Sequence, residues 1–522
     1  MVGLGVWGVE DVAGNSSAVT IDKVASNPVS DGNRGEYIVL YAAEEQDLTG
    51  WKLQNNDRSV PLPNSSLEGH QAISNEPHTT SLLTTYDTMP LDGYFPLAAD
   101  GSKLELISDS GETVQKVSVP PLRAQEVFRP TKDSGSIQYQ GATTFEFEEH
   151  TSVYVTPFVL PDSSDIPADT LAAAEERILL SGYELTDPLI VDILLNRHAE
   201  GVKVQVLLDG RPVGGQEEAE ISALNRLIEA GIPVRTFAGE RDRYRFHHPK
   251  YAVIDDSALV MTENWKPAGT GGHSSRGWGV LVDDEAVSSD LATTFTQDFA
   301  WRDTVAWEWD RLDRTPVESS VPGIQYSEIF SAPDATAGSV ELVVTPEMGE
   351  SRISEELANA EQEIYVQQVS LTDKNFALIQ DLIEAANRGV AVTILLDNSW
   401  YVSDENAQIR DSLPTAADDA SNLSVDLVEP TDRFEKIHTK GILIDNRTTI
   451  VGSMNWNNVS MLENREVMLV IESEDTTRFF KSVFHEDIQP PGRQTPVELV
   501  LITIGTWLLA GLLARKRIDL AG

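Results

Sequence analysis

Two short triplets carry the groups that could do chemistry. His248, Lys250 and Asp255 stand in one part of the chain and His438, Lys440 and Asp445 in another, each spaced His-x-Lys-x4-Asp. Each His and Lys opens an apolar, partly β-branched run, Tyr251 to Ile254 and Gly441 to Ile444. On a strand, positions i and i+2 share a face, so each imidazole projects beside its ammonium. The Asp falls at i+7, on the opposite parity and at the strand's end, which suits a brace and not a substrate contact. After a tight turn come Thr262 and Asn264 in the first case, Ser453 and Asn455 in the second. Such a set fits a phosphodiester. Lys and Asn donors hold the non-bridging oxygens, one imidazole attacks phosphorus, and the other protonates the leaving alkoxide.

The triplets sit inside an internal repeat, which sets how they must be positioned. Ala174-Glu175 and Leu185-Thr186-Asp187 answer to Ala360-Glu361 and Leu371-Thr372-Asp373 at an offset of 186. The offset grows to 188 between Gly201-Val202 and Gly389-Val390, to 190 at the triplets, and to 191 between Asn264-Trp265 and Asn455-Trp456. Each half reads strand, helix, strand, helix, strand, with helices such as Leu189 to Glu200 and Phe376 to Arg388 ending ahead of a glycine. Two like halves packed about a pseudo-twofold axis bring equivalent loops together at the seam, so one chain supplies one site and a monomer suffices.

In these features, over about residues 150 to 487, the chain resembles the phospholipase D superfamily. The resemblance implies a two-step reaction through a covalent phosphohistidine, without cofactor or metal. It makes His248 the nucleophile and His438 the general acid, with Lys250, Lys440, Asn264, Asn455 and the hydroxyls of Thr262 and Ser453 around the phosphate. Asn464-Arg465-Glu466 completes the family pattern in the second half, where such a carboxylate commonly orients the histidine of the opposite half; Glu466 would therefore steady His248. The first half has Ser275-Arg276-Gly277 there and offers no acid, so His438 is expected to lack a carboxylate partner. Met261-Thr262 also replaces the expected Gly-Ser, and an inactive first half is the alternative.

Other candidates are weaker. His247 is off register by one residue and reads as incidental, and the histidines at 70, 78, 150, 198, 273 and 485 have no metal-ligand spacing. The Gly269 to Gly272 stretch reads as a rim loop and not a phosphate cradle, and no Walker loop or dinucleotide fingerprint is present. Cysteine is absent, which excludes disulfides, thiolate sites and cysteine nucleophiles. The chain has 83 acidic residues against 39 basic ones, a net charge of −44, with 13 Lys to 26 Arg. A dispersed acidic surface repels polyanions and resembles halophile proteins, in which dense salt screens self-repulsion. Arg241, Arg243 and Arg245 could line a local basic groove or simply counter nearby acids.

The expected architecture is α/β: a duplicated, pseudo-twofold fold of mixed sheets and helices, with halves at 150–310 and 336–487 and linkers at 121–149 and 311–335. Ahead of it, 16–120 read as all-β, with short strands between turn clusters and no helical periodicity. Ile21 to Pro28, Gly35 to Leu40 and Asp47 to Leu53 resemble the lamin-tail domain, an immunoglobulin-like sandwich. That resemblance implies adhesion or scaffolding, with Trp51 as a core or turn anchor. At the other end, 497–517 hold a charge-free run of 16 residues, Leu499 to Ala514, followed by Arg515-Lys516-Arg517. At about 1.5 Å per residue it approaches a bilayer's apolar thickness, which predicts a single-pass anchor in the cell membrane. The basic stop places the C-terminus in the cytoplasm and the rest outside. Met1 to Trp7 make a poor signal peptide, so the true start is expected upstream. Three functions follow in order: a phospholipid phosphodiesterase or phosphatidyltransferase, an extracellular nuclease, and an adhesion protein with a vestigial site.

Overall fold

The computed structural model describes residues 9–10, 19–29, 34–56, 58–131, 135–139, 147–237, 243–308, 316–319, 323–324, 326, 328–371 and 373–489. The expected membrane anchor at 497–517 lies outside the described residues, as does Arg241. Among the described residues no helix is long and apolar enough to cross a membrane.

The repeat folds into one continuous mixed sheet of 16 strands whose order is nearly palindromic. Its centre is the antiparallel pair His150–Leu160 and Ala335–Thr345, the first strand of each half, with Tyr154 opposite Thr336. Outward in the first half lie Ser275–Asp283, Ser257–Met261, Tyr251–Ile254, Arg177–Gly182, Lys203–Asp209 and Val234–Phe237. In the second half they are Glu466–Glu472, Thr448–Gly452, Gly441–Ile444, Glu363–Gln368, Ala391–Asp397 and Leu423–Val428. The strands joined by helices run parallel, because a crossover helix returns the chain to the same end of the sheet. The later strands form antiparallel meanders.

The helices form where the sequence sets their limits. Asp187 accepts a hydrogen bond from Leu189 N (3.0 Å) and starts Pro188–Ala199. That helix and its counterpart Ala377–Asn387 each end near a glycine at positive φ, Gly201 (+103°) and Gly389 (+96°), a conformation that only glycine adopts freely. Each half buries its own apolar cluster, around Leu194 and Trp265 in one and Leu382 and Trp456 in the other. A third cluster joins residues of both halves, among them Val153, Trp278, Leu443 and Phe480, with the Trp278 and Phe480 rings stacked 4.4 Å apart. Dissolving the seam would expose both rings, so the halves are bound to fold as one unit.

The N-terminal region forms two sheets of five and six strands packed on a shared core that contains Trp51, Leu53, Ile38 and Leu106. Two expectations need correction there. A short helix, Pro77–Leu83, interrupts the strands, started by a proline at its first turn, where no amide donor is lost. The stretch assigned as linker at 121–149 instead supplies two strands, Glu126–Pro130 and Gly135–Tyr139, and Phe128 pairs with Val24 while filling the core. This region touches the α/β body through Arg123–Glu350 (2.5 Å) and through Gln125 Nε2, which donates to Glu463 O (2.9 Å).

Candidate active site

The backbone first brings the two motifs to the seam. His248 N donates to Arg465 O (3.0 Å), and His438 N donates to Arg276 O (2.9 Å), so each motif is hydrogen-bonded to the strand entry of the opposite half. Behind each sits the carboxylate that ends a parallel strand: Asp209 accepts from His247 N (2.7 Å) and Asp397 from Ile437 N (3.0 Å). Arg465 and Arg276 pin these crossings. Arg465 is fully buried against Asp298 (2.9 Å) and Glu347 (2.7 Å), and Arg276 against Asp162 (2.5 Å) and Asp487 (3.0 Å). A buried guanidinium with two carboxylates is costly to break, which holds the loops in one geometry.

The two aspartates of the triplets lie away from the seam. Asp255 accepts from the amides of Glu175 (2.7 Å), Glu176 (2.8 Å) and Arg177 (2.8 Å), and Asp445 does the same for Glu361, Gln362 and Glu363. Both adopt φ of +50°, where Asp is tolerated because its short side chain bonds locally. Each is five residues beyond its Lys, roughly 16 Å along an extended chain.

At the seam itself, His248, Lys250, His438 and Lys440 converge. Lys250 Nζ donates to His248 O and Lys440 Nζ to His438 O, both at 2.6 Å. Lys440 also reaches Thr262 O at 3.5 Å, across the seam. His248 Nδ1 lies 2.8 and 3.0 Å from the two carboxylate oxygens of Glu466, which leaves Nε2 to face the cleft. Glu466 is itself held by Ser453 Oγ (2.6 Å) and Asn464 Nδ2 (3.0 Å). The Tyr183 ring stands edge-on to His248, centroids 4.8 Å apart, and forms a wall that the motif spacing gave no means of finding.

The expectation that His438 lacks a carboxylate is overturned. Glu263 Oε2 lies 3.2 Å from His438 Nδ1 and is buried. The acid was missed because it stands one residue after Thr262, where the second half has Met454, and not at the position of Glu466. The contact is looser than its counterpart: among the described residues His438 Nδ1 makes no aligned hydrogen bond, and the buried Glu263 Oε1 has no partner.

The two hydroxyls also need correcting. Thr262 and Ser453 are fully buried, and Thr262 Oγ1 accepts from Trp278 N (3.0 Å) as Ser453 Oγ accepts from Val467 N (3.0 Å). Ser453 is engaged by the neighbouring strand and by Glu466, and Thr262 by the neighbouring strand. Asn264 and Asn455 are partly exposed beside the cleft, and Asn264 Nδ2 donates to Glu184 (3.2 Å). His247 is a packing residue, bonded to Ser181 Oγ (2.8 Å) and stacked on Phe237. Arg243 is buried against Asp303 and Asp298, and Arg245 pairs with Glu463, so both counter local acids and do not line a groove.

Burial and neighbouring cations depress the basic groups of the site. Burial lowers the His248 pKa to about 4 although Glu466 pulls it up, and burial with Lys440 lowers His438 to about 3. Burial likewise brings Lys250 down to about 7, and Lys440 is held well below its usual value by burial and by Lys250. Glu466 and Glu263 stay below the usual carboxylate range, because the facing His and Lys outweigh the effect of burial. A phosphate between the two ammoniums would relieve their mutual repulsion and restore their charge. Chemically, the cleft can hold one tetrahedral anion between two lysines, with an imidazole on either side.

A family model described as cardiolipin synthase, PLD-like domain, matches residues 168–300 and 353–488, over half of the chain and one segment in each half of the repeat. A protein named phospholipase D from Rickettsia typhi is 29% identical over 146 residues, 28% of this chain and 66% of that protein, just under two thirds of its length. Another phospholipase D, from Rickettsia felis, is 28% identical over 166 residues, 31% of this chain and 75% of that protein. Among solved structures, phosphatidylserine synthase of Haemophilus influenzae aligns at 13% identity with a TM-score of 0.48, over 64% of this chain and 87% of that one. With one matched segment in each half and the paired histidines at their junction, the chain belongs to the phospholipase D-like family.

Proposed function

We propose that the chain is a phosphodiesterase that acts on phospholipids, hydrolysing them or transferring their phosphatidyl group. The observation that carries the reaction class is the pair of imidazoles at one seam, each beside a carboxylate and a lysine. His248 Nε2 attacks phosphorus as the P–O bond to the leaving alkoxide breaks, and His438 gives that alkoxide a proton. His438 then removes a proton from water or an alcohol, which attacks phosphorus; the P–N bond breaks and His248 is regenerated. The assignment of His248 as nucleophile rests on the better-held carboxylate. Glu466 has partners on both oxygens and can steady the positive charge that His248 gains on phosphorylation, whereas Glu263 has one oxygen unpartnered. His438 is protonated for its role once the diester's negative charge enters beside it.

A lipid substrate is supported by the relatives named phospholipase D and by the net charge of −44, which opposes polyanion binding. It is also supported by Trp400 and Tyr401, 90% and 45% exposed, on the loop that follows strand Ala391–Asp397. Lys436, two residues before His438, lies 6.0 Å from the Tyr401 ring, which places these aromatics at the rim of the cleft. Trp and Tyr are suited to the membrane–water boundary, with an apolar ring and a polar edge. The run Leu499 to Ala514 with its basic stop is proposed to tether the site beside lipid head groups, and the N-terminal sheets, resembling a lamin tail, to serve adhesion or scaffolding.

The test is to incubate the protein in molar salt with phosphatidylcholine and phosphatidylethanolamine vesicles, and separately with DNA, each with and without EDTA. Lipid turnover that persists in EDTA and is lost in His248→Ala supports the proposal. DNA cleavage without lipid turnover makes the chain a nuclease, and loss of turnover on adding EDTA would sink a mechanism run by imidazoles and lysines alone.

A further inference from the structure

The two halves place their histidine-bound carboxylates differently, Glu263 just past strand Ser257–Met261 and Glu466 at the start of strand Glu466–Glu472, and the backbone register shows how they correspond. Thr262 N donates to Trp278 O and Ser453 N to Val467 O, both at 2.9 Å, so the 262–263 and 277–278 segments of the first half superpose on 453–454 and 466–467 of the second. In that register Glu263 corresponds to Met454, and Gly277 to Glu466. Acid and non-acid have changed places between the two positions.

A Cβ built on Gly277 would lie 2.2 Å from Glu263 Cγ and 2.7 Å from its Oε1. The Glu263 side chain therefore fills the space that a side chain at 277 would need. Neighbouring Gly279 is likewise closed, by Phe158 at 2.2 Å. From that space Glu263 reaches His438 Nδ1 at 3.2 Å, while Glu466 reaches His248 Nδ1 at 2.8 Å. Met454, its counterpart, is buried in the apolar cluster of the second half.

We infer that Glu263 is the positioning residue of His438, the partner that holds its ring and tautomer for proton transfer, and that Gly277 is glycine to leave room for it. The inference rests on His438 being the proton donor of the proposed reaction. Glu263 acts through His438 and touches no reacting atom. The 3.2 Å contact shortens into an aligned hydrogen bond as His438 takes up its proton, since charge on both partners strengthens it.

Leaving-group dependence tests this with a readout that a purely structural role would not move. A diester with a p-nitrophenolate leaving group needs little protonation, and one with an alkyl alkoxide needs it fully. In the full chain, Glu263→Gln is expected to lower the single-turnover rate of His248 phosphorylation on the alkyl diester about tenfold or more, a single charge-assisted hydrogen bond's worth, with less than about threefold loss on the p-nitrophenyl diester; this step precedes the work of His438 as a base. The double variant Glu263→Met with Gly277→Glu reproduces the arrangement of the second half and is expected to regain at least threefold of what Glu263→Met alone loses. Equal losses on the two diesters for Glu263→Gln would overturn the inference, provided that His438→Ala shows the selective loss. If His438→Ala also affects both diesters equally, the proton-donor reading of His438 is what fails, and the inference falls with it. A folded double variant no more active than Glu263→Met overturns the exchange of positions; should the double variant not fold, the Glu263→Gln comparison decides alone.

Discussion

Replacing Glu466 by Gln probes the link between buried structure and the first chemical step. The carboxylate is fully buried and accepts hydrogen bonds from His248 Nδ1 (2.8 and 3.0 Å), Ser453 Oγ (2.6 Å) and Asn464 Nδ2 (3.0 Å). Gln keeps the volume but removes the charge, and its amide nitrogen turns a donor toward the donors that surround it. The charge-assisted bond to His248 is worth about 1.5–3 kcal/mol, and if that difference is expressed in the transition state, phosphorylation slows by about ten- to 150-fold. The bond matters there because His248 becomes cationic as it attacks, and because Nδ1–H pointing at the carboxylate leaves Nε2 as the nucleophile. The assay is a single-turnover rapid quench with excess enzyme and a labelled diester, following the acid-labile adduct on His248. Thermal melting of the same sample shows whether the fold is intact. A folded Gln variant that forms the adduct within about threefold of the wild-type rate would refute the reasoning.

Two further predictions concern pH and bracing. In the folded protein His248 is pushed down to about 4 and His438 to about 3, mainly through burial, against 6.5 in the unfolded chain. The unfolded state therefore binds more protons between those values, so stability falls as pH drops below about 6.5 toward 4. Melting temperatures across that range should show a slope that is visibly flatter in the His248→Gln, His438→Gln double variant; an identical slope would place its origin elsewhere. Asp255→Ala strips three amides of their acceptor at a residue with φ of +50° and should cost about 1–3 kcal/mol in urea unfolding, with KM nearly unchanged. Lost turnover without lost stability would instead put Asp255 in contact with substrate.

The linear sequence was enough to determine the elements that repeat and the histidines and lysines that meet at the seam. The growing offset between the halves, the alternation of apolar strand and helix, and the glycines at 201 and 389 are local signals, and local physics produced what they imply. The His-x-Lys pairs stand just ahead of strands Tyr251–Ile254 and Gly441–Ile444, and Asp255 and Asp445 fall in the turns that end those strands, away from the cleft. The pairing of Glu466 with His248 came from the family pattern and not from spacing, since the two lie 218 residues apart.

Tertiary structure decided what depends on distant neighbours. The strands at Glu126–Pro130 and Gly135–Tyr139 pair with each other, and were read as linker because what joins them to a sheet and a core is Phe128 opposite Val24, about a hundred residues away. Thr262 and Ser453 carry hydroxyls that look available in sequence, but Trp278 N and Val467 N claim them. The carboxylate of His438 was sought where the repeat put it, at 277. The bond from Thr262 N to Trp278 O brings 263 beside 277, so an acid at either position stands near the same histidine, and only the packing around Gly277 reveals which position carries it.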